Sequence, residues 1–169
     1  LRELYLIRHA LAQQLGLKND FTDEKRTLTS EGRDRMREVA RGLRRLGVQV
    51  DLLLTSPLAR AVETAEIVGD ALGLSKKEVI YTDKLAPGAS ADELFAEIKS
   101  HGVESVALVG HQPDLGEIIA KIIQAHSKLS IDLKKGSICC LNVIETVPSL
   151  RGELVWLMTP KQLRFLAKV

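Results

Sequence analysis

The chain has 169 residues, of which 45% are hydrophobic and 27% are charged, and its formal net charge is +2. This length and composition are typical of one globular domain with a sizeable core, and they exclude a disordered or fibrous chain. The weak net charge gives no reason to expect a nucleic-acid partner, and the lack of a long apolar stretch gives none to expect a membrane segment.

The first third of the chain predicts two strands, each followed by a helix. Residues 4–7 form a short apolar run typical of a strand, and residues 29–46 carry apolar side chains at helical spacing. Residues 52–55 predict a second buried strand. Ser56 is interpreted as the N-cap of the next helix, which is predicted to span residues 57–72 with a proline at its first position.

The middle of the chain repeats this alternation. Residues 79–81 predict a third strand, and Ser90 with Glu93 matches a capping box that would open a helix. The continuous apolar run over residues 105–109 predicts a fourth strand that is buried on both faces. A helix over residues 113–124 is predicted to follow it.

The last third of the chain has a different pattern. Residues 137–144 and 153–157 predict two strands joined by a short loop that contains proline, which favours an antiparallel pair. Pro160 is predicted to begin a last helix. His101 and His126 are interpreted as loop or helix-end residues rather than site residues.

Two adjacent cysteines, Cys139 and Cys140, lie within the fifth predicted strand. Neighbouring residues of a strand point to opposite faces of the sheet, so these thiols are poorly placed to form a disulfide with each other. Free thiols and the lack of a recognisable secretory signal predict a reducing, cytoplasmic location.

Alternating strands and helices predict an α/β fold. We expect a three-layer sandwich, in which a mostly parallel central sheet carries helices on both faces. Because the sequence contains no repeat, low-complexity tract or linker, residues 1–169 are predicted to form one domain without a large cap insertion.

Candidate site residues lie at the carboxyl ends of three predicted strands. Arg8 and His9 follow the first strand, His111 follows the fourth, and Arg60 lies in the first turn after the second. Each residue alone has a simpler structural interpretation. Because ligands of open α/β sheets bind outside the carboxyl ends of the strands, the four side chains are expected to converge there. Two imidazoles and two guanidinium groups suit a phosphoryl group and bind cations poorly.

Four ordered motifs identify the chain as resembling the histidine phosphatase superfamily, also called the phosphoglycerate mutase-like family. Residues 8–10 resemble its R-H-G signature, with alanine in the last position, and residues 56–64 resemble its S-x-x-x-R-A-x-x-T motif. Residues 110–111 resemble the third motif, and residues 26–32 resemble an R-x-L-T-x-x-G segment. The alanine, the short chain and residues 84–87 make it similar to the SixA-type phosphohistidine phosphatases within that superfamily.

This resemblance implies a phosphoglycerate mutase-like fold and assigns roles to the four residues. His9 would be the nucleophile that accepts the phosphoryl group, and Arg8, Arg60 and His111 would bind the phosphoryl oxygens together with it. Such a mechanism needs no metal and no cofactor. Neither a metal-ligand cluster nor a cysteine-dependent phosphatase loop is present in the sequence.

The general acid is the point at which the sequence departs from the family pattern. Larger members carry a glutamate near the end of the third strand, where this chain has Lys84. Asp83 and Asp23 are the alternative candidates. Phosphohistidine can leave as a neutral imidazole, so a missing glutamate favours P–N bonds over phosphate esters.

The resemblance implies a metal-independent phosphatase that acts on phosphohistidine in a protein, for example a phosphotransfer domain. Two alternatives remain: a small-molecule phosphomonoesterase of the same superfamily, and a non-catalytic phosphate-binding adaptor. We expect a monomer, and no nucleic acid or membrane as partner.

The first predicted helix is rich in arginine. A solvated face is the favoured interpretation, and a docking surface for an acidic protein is the alternative. The arginines are Arg33, Arg35, Arg37, Arg41, Arg44 and Arg45.

Overall fold

A computed structural model describes residues 1–15, 22–125, 129–145 and 150–169. His126 and the predicted proline-containing loop between the last two strands lie outside the described residues. The strands are β1 (Glu3–Arg8), β2 (Leu52–Thr55), β3 (Val79–Tyr81), β4 (Ser105–Gly110), β5 (Ile138–Glu145) and β6 (Arg151–Met158). The helices are α1 (Ser30–Arg45), α2 (Ala59–Leu72), α3 (Ala91–Ser100), α4 (Asp114–Ile122) and α5 (Pro160–Leu166).

The six strands form one sheet in the order β3-β2-β4-β1-β5-β6. Strands β1 to β4 pair in parallel, whereas β5 runs antiparallel to both β1 and β6. The predicted α/β class, the mostly parallel sheet and the C-terminal antiparallel pair are therefore confirmed. Within the described residues, no helix has the length and apolar character needed to cross a bilayer.

Helices cover both faces of the sheet, because side chains of its central strands alternate between two buried layers. Tyr5 and Ile7 of β1 belong to the layer that includes apolar residues of α1, α2 and α5. Leu4 and Leu6 belong to the opposite layer with residues of α3 and α4. This arrangement confirms the predicted three-layer sandwich.

Cys139 and Cys140 also lie in opposite layers, and both are buried as free thiols. The alternation of strand side chains explains why they do not pair with each other. The expectation that they form no mutual disulfide is confirmed.

The start of α2 differs from the prediction. Its N-cap is Leu58, which has an extended backbone and makes no capping side-chain hydrogen bond, so the helix begins at Ala59 rather than at Pro57. Ser56 is not a helix cap, because its hydroxyl contacts His111 instead. Ser90 is the N-cap of α3, so the predicted start of this helix is confirmed, but the predicted capping box is wrong because the Ser90 side chain makes no capping hydrogen bond.

Close contact between α1 and the loop after β1 holds that loop in place. Thr29 caps α1 by accepting a hydrogen bond from the Gly32 N–H at 2.9 Å. A Cβ atom at Gly32 would lie 2.1 Å from the carbonyl oxygen of Leu11, which explains why this position carries glycine. An isolated bridge between Ala12 and Leu28 holds the same loop.

Candidate active site

Three neighbouring strands deliver the candidate residues to one edge of the sheet. Because β4 lies between β1 and β2, the residues after these strands are hydrogen-bonded to each other. The backbone N–H of His9 donates to the carbonyl of Gly110 at 3.0 Å, and that of Ser56 donates to Val109 at 3.0 Å. The ring centroids of His9 and His111 are 5.1 Å apart. The structure therefore brings together the two histidines that the sequence predicted to converge.

His9 is held with a free ring nitrogen. Its Nδ1 lies 2.8 Å from the carbonyl oxygen of Ala10, and a carbonyl oxygen can only accept a hydrogen bond. Nδ1 must therefore carry the ring proton, which leaves a lone pair on Nε2. Burial, together with the electrostatic interaction with His111 and the positive charges of Arg60 and Arg8, lowers the pKa of His9 from 6.5 to about 3. The imidazole is consequently neutral and nucleophilic near neutral pH.

His111 contacts a hydroxyl from the neighbouring strand end. Its Nε2 lies 2.8 Å from Oγ of Ser56, and that oxygen also accepts a hydrogen bond from the Leu58 N–H at 3.3 Å. Both His111 and Ser56 are buried, with exposed fractions of 3% and 0%. Burial and the charge of Arg60 lower the pKa of His111 to about 4, so this ring is also neutral before an anion binds.

Arg60 is anchored by Asp23, which lies in a 3₁₀ turn before α1. The guanidinium donates to the carbonyl oxygen of Asp23 at 2.8 Å and to its carboxylate at 3.0 Å. Arg26 binds the other carboxylate oxygen of Asp23, with Nε–Oδ1 at 2.8 Å. Burial alone would raise the pKa of Asp23, but the charge of Arg60 and the hydrogen bonds from both arginines outweigh it and lower the pKa. Asp23 is therefore an ionised carboxylate that orients Arg60.

Arg8 is anchored by a segment distant in sequence. Its NH1 donates to the carbonyl oxygen of Leu133 at 2.5 Å and lies 3.7 Å from the Asp132 carboxylate. Thr64 supports the same strand end, since its hydroxyl accepts from the Ala10 N–H at 3.0 Å and donates to the Arg60 carbonyl at 2.7 Å. These bonds fix α2 against the residue that follows His9.

Several buried nitrogens at this edge lack a hydrogen-bond partner among the described residues. They are Nε of Arg8, Nε of Arg60 and Nδ1 of His111. A buried donor without a partner is destabilising by roughly 1–3 kcal/mol, which an anion bound at this edge would offset. This chemistry suits a tetrahedral oxyanion. Among the described residues, no cluster of three His, Cys, Asp or Glu side chains could hold a metal ion.

The remaining acid candidate, Asp83, makes no described contact with Arg8, His9, Arg60 or His111. It lies exposed at the start of a 3₁₀ turn after β3, and no described site residue pairs with its side chain. Lys84 lies 3.5 Å from the carboxylate of Glu97 on α3, in an ion pair outside the group of four. Of the two predicted acids, the structure thus brings only Asp23 to the site, where it is bonded to Arg60.

Sequence reasoning missed three supporting groups. The sequence pattern predicts a helix cap at Ser56 and, at Asp23, only a proton donor. The carbonyl of Leu133 has no sequence signature, because any residue supplies one. The first two were at least adjacent to recognised motifs.

Comparison with known proteins supplies the family. Residues 4–86 match the family model described as histidine phosphatase superfamily (branch 1). The chain is 32% identical to the phosphohistidine phosphatase SixA of Escherichia coli over 124 residues, which cover 71% of this chain and 73% of that protein. The chain belongs to the histidine phosphatase superfamily.

Two further comparisons extend over nearly the whole of this histidine phosphatase. An uncharacterised protein of Picosynechococcus is 34% identical over 167 residues, covering 95% of this chain and 98% of that protein. The solved structure of the protein histidine phosphatase SixA complexed with tungstate matches with a TM-score of 0.81 and 27% identity, covering 95% of this chain and 99% of that one. The predicted SixA-type resemblance and the phosphoglycerate mutase-like fold are confirmed. The protein is a phosphatase, which sets aside the alternative of a non-catalytic adaptor.

Proposed function

We propose that this histidine phosphatase hydrolyses phosphohistidine on a protein, by way of a phosphohistidine intermediate on its own His9 and without a metal ion. The observation that carries the proposal is the 2.8 Å contact between His9 Nδ1 and the Ala10 carbonyl. That contact leaves Nε2 unprotonated beside two arginines and a second histidine, which is what attack on an anionic phosphorus requires.

The reaction has two displacements. In the first, the lone pair of His9 Nε2 forms an N–P bond while the bond between phosphorus and the substrate imidazole breaks. In the second, a water oxygen attacks phosphorus and the N–P bond returns its electrons to Nε2 of His9. Both protons of the water stay with the product, which leaves as dihydrogen phosphate, and His9 is again neutral with its proton on Nδ1. Splitting one displacement into two gives each step a good leaving group.

Arg8, Arg60 and His111 stabilise the charge on the transferring phosphoryl group. Both guanidiniums are oriented by hydrogen-bond partners, Leu133 for Arg8 and Asp23 for Arg60, so little reorganisation is needed when the charge develops. Removing one such donor costs roughly 3 kcal/mol of transition-state stabilisation, or about a hundredfold in rate.

The chemistry of the leaving group supports phosphohistidine as the substrate class. Ester hydrolysis releases an alkoxide that needs a proton donor, but Asp23 is ionised and Asp83 has no described contact with the site residues. A protonated phosphoimidazole leaves as a neutral ring and needs no such donor. The names of the E. coli relative and of the tungstate complex, both phosphohistidine phosphatases, agree with this choice.

Trapping of the intermediate tests the proposed mechanism. A phosphohistidine peptide labelled with radioactive phosphorus should label wild-type protein in an acid-labile form at His9, and His9→Ala should show neither label nor turnover. Label at another residue would refute the assignment of His9 as the nucleophile. Activity that disappears with EDTA and returns with a divalent cation would refute metal independence.

A comparison of substrates tests the leaving group. Phosphohistidine should be hydrolysed with a kcat/KM at least about tenfold above that of sugar phosphates. A clear preference for the esters would establish the small-molecule phosphomonoesterase instead.

A further inference from the structure

A cleft of about 400 Å³ lies beside the candidate site, between α1, the start of α5 and the turn that precedes β5. We call it the basic cleft. Its charged lining residues are Arg35, Lys135, Lys161 and Arg164, and no carboxylate is among the residues that line it. Its partly exposed apolar lining residues are Leu11 and Pro160, and the buried Met36 and Val39 lie beneath them.

The charge of the basic cleft is only partly balanced. Arg35 forms an ion pair with Glu31, and Arg164 pairs with Glu38 at 2.5 Å. Lys135 and Lys161 are exposed and form no ion pair with any described residue. Two cations are thus left in a concave surface, where the potential is stronger than on a convex one.

Other arginines of α1 differ from this arrangement. Arg33 pairs with Glu63 of α2 at 2.6 Å, and Arg37 pairs with Asp34 at 2.8 Å. The groove that these two arginines line also contains Glu63, Glu66 and Asp70, so its charge is mixed. An acidic partner is therefore better matched by the basic cleft than by the α1 face as a whole.

The basic cleft shares a wall with the reactive strand end. Ala10, which follows His9, lines it, and so does Gly136. The N–H of Gly136 donates to the carbonyls of Arg8 and His9 at 3.1 and 3.2 Å. Residues that flank a phosphohistidine bound at His9 would therefore lie close to this cleft.

We infer that the basic cleft binds an acidic segment of the phosphorylated protein, close in sequence to the phosphohistidine. The inference rests on the proposed function and adds a substrate preference to it. Carboxylates of the segment would contact Lys135 and Lys161, while its aliphatic groups would pack on Leu11 and Pro160, the partly exposed apolar residues of the lining. Exposed charges of this kind act mainly on encounter and KM rather than on the chemical step.

Two matched phosphohistidine peptides test the inference, one flanked by glutamate and one by glutamine. Wild-type enzyme should have a KM roughly three- to tenfold lower for the glutamate peptide, the range expected for two exposed charge contacts. The double variant Lys135→Gln/Lys161→Gln should lose this difference, with the rise in KM confined to the glutamate peptide. An unchanged KM ratio in the double variant would overturn the inference.

Lys76→Gln/Lys77→Gln is the matched control, because these lysines precede β3 at the opposite edge of the sheet. It should keep the wild-type KM ratio, and an equal loss in this control would mean that overall charge, not the cleft, is responsible. Thermal unfolding of both double variants checks that each is folded.

Direct binding separates this inference from the proposed function. Calorimetry with a short polyglutamate peptide should detect binding to wild-type and His9→Ala proteins, and weaker binding to Lys135→Gln/Lys161→Gln. Hydrolysis of neither phosphohistidine peptide would refute the proposed function and leave this binding result intact. The inference that the cleft binds an acidic protein segment would be refuted if Lys135→Gln/Lys161→Gln bound polyglutamate as tightly as wild type. It would also be refuted if the wild-type protein preferred phosphatidylserine vesicles or single-stranded DNA to polyglutamate.

Discussion

The hydroxyl of Ser56 and Nε2 of His111 lie 2.8 Å apart, although the two residues are separated by 55 positions in the sequence. Ser56 is buried, and its oxygen already accepts a hydrogen bond from the Leu58 N–H. Among the described residues, the Nε2 atom of His111 is the acceptor available to the Ser56 O–H. The ring proton of neutral His111 is then on Nδ1, a buried nitrogen without a described partner that can donate to an anion. Ser56 is a positioning residue.

Ser56→Ala should lower kcat by roughly tenfold, since losing one hydrogen bond to a buried group costs about 1–3 kcal/mol. Ser56→Thr keeps the hydroxyl and should restore most of the activity. Nitrogen-15 shifts of the His111 ring report the tautomer, which should be uniform in the wild-type protein and mixed in Ser56→Ala. Unchanged shifts would mean that another group fixes the ring.

His9 and His111 should remain neutral far below the usual histidine pKa. Burial and nearby positive charges lower the pKa of His9 from 6.5 to about 3 and that of His111 to about 4. Carbon-13 ring signals followed by NMR should therefore show no titration of either residue near pH 6.5 in the protein without phosphate. Signal assignment uses His9→Asn and His111→Asn, and a normal midpoint for either ring would contradict the buried, neutral site.

The same lowered pKa values predict how stability depends on pH. Between about pH 6.5 and about pH 3, His9 is protonated in the unfolded chain but not in the folded chain. The stability that neutral His9 contributes should therefore be fully present above pH 6.5. The free energy of unfolding should decrease as the pH falls from about 6.5 to about 3. Urea unfolding at several pH values measures this dependence. His9→Asn should reduce the slope, and an identical slope would assign the acid sensitivity to other groups.

Variants of Asp23 distinguish an orienting role from an acid role. Asp23→Asn keeps an oxygen that can accept a hydrogen bond from Arg60, so its KM should stay within about threefold of wild type. Asp23→Ala removes that oxygen and should raise KM by roughly tenfold. If Asp23 were the general acid, both variants would lose kcat equally, and the basic limb of the pH profile would disappear in both.

Gly32→Ala tests the contact between α1 and the loop after β1. The added methyl group would lie 2.1 Å from the Leu11 carbonyl oxygen, which is backbone and cannot rotate away. We expect a loss of roughly 1–3 kcal/mol in the free energy of unfolding, measured by urea denaturation. Gly69→Ala is the control within α2, because its nearest neighbour would be a Val79 methyl group at 3.3 Å. Equal losses in both variants would indicate a general cost of substituting helical glycines.

Local pattern predicted the elements well, and it also located the two histidines. An apolar run that ends in a charged residue marks the carboxyl end of a buried strand, so the placement of Arg8, His9 and His111 followed from the strands. What the pattern could not supply was the set of partners distant in sequence. The bonds from Arg8 to Leu133 and from Arg60 to Asp23 span 125 and 37 positions, and only the folded chain shows them.

Ser56 illustrates why the start of α2 was misassigned. A serine followed by proline is a common beginning for a helix, and that local preference favoured residue 57. The Ser56 hydroxyl contacts His111 and accepts from the Leu58 N–H, and the helix begins only after Leu58, whose backbone is extended. A contact between two strand ends thus outweighed a local preference.

The position of β4 between β1 and β2 has a consequence for how the polypeptide acquires its structure. The two motif-bearing strands in residues 4–86 do not touch each other, and each depends on hydrogen bonds to residues synthesised later. A nascent chain that stopped before Ser105 would expose unpaired edges on both strands, which invites aggregation. The stretch most easily recognised in the sequence is therefore not a segment that could be expressed alone or exchanged as a module.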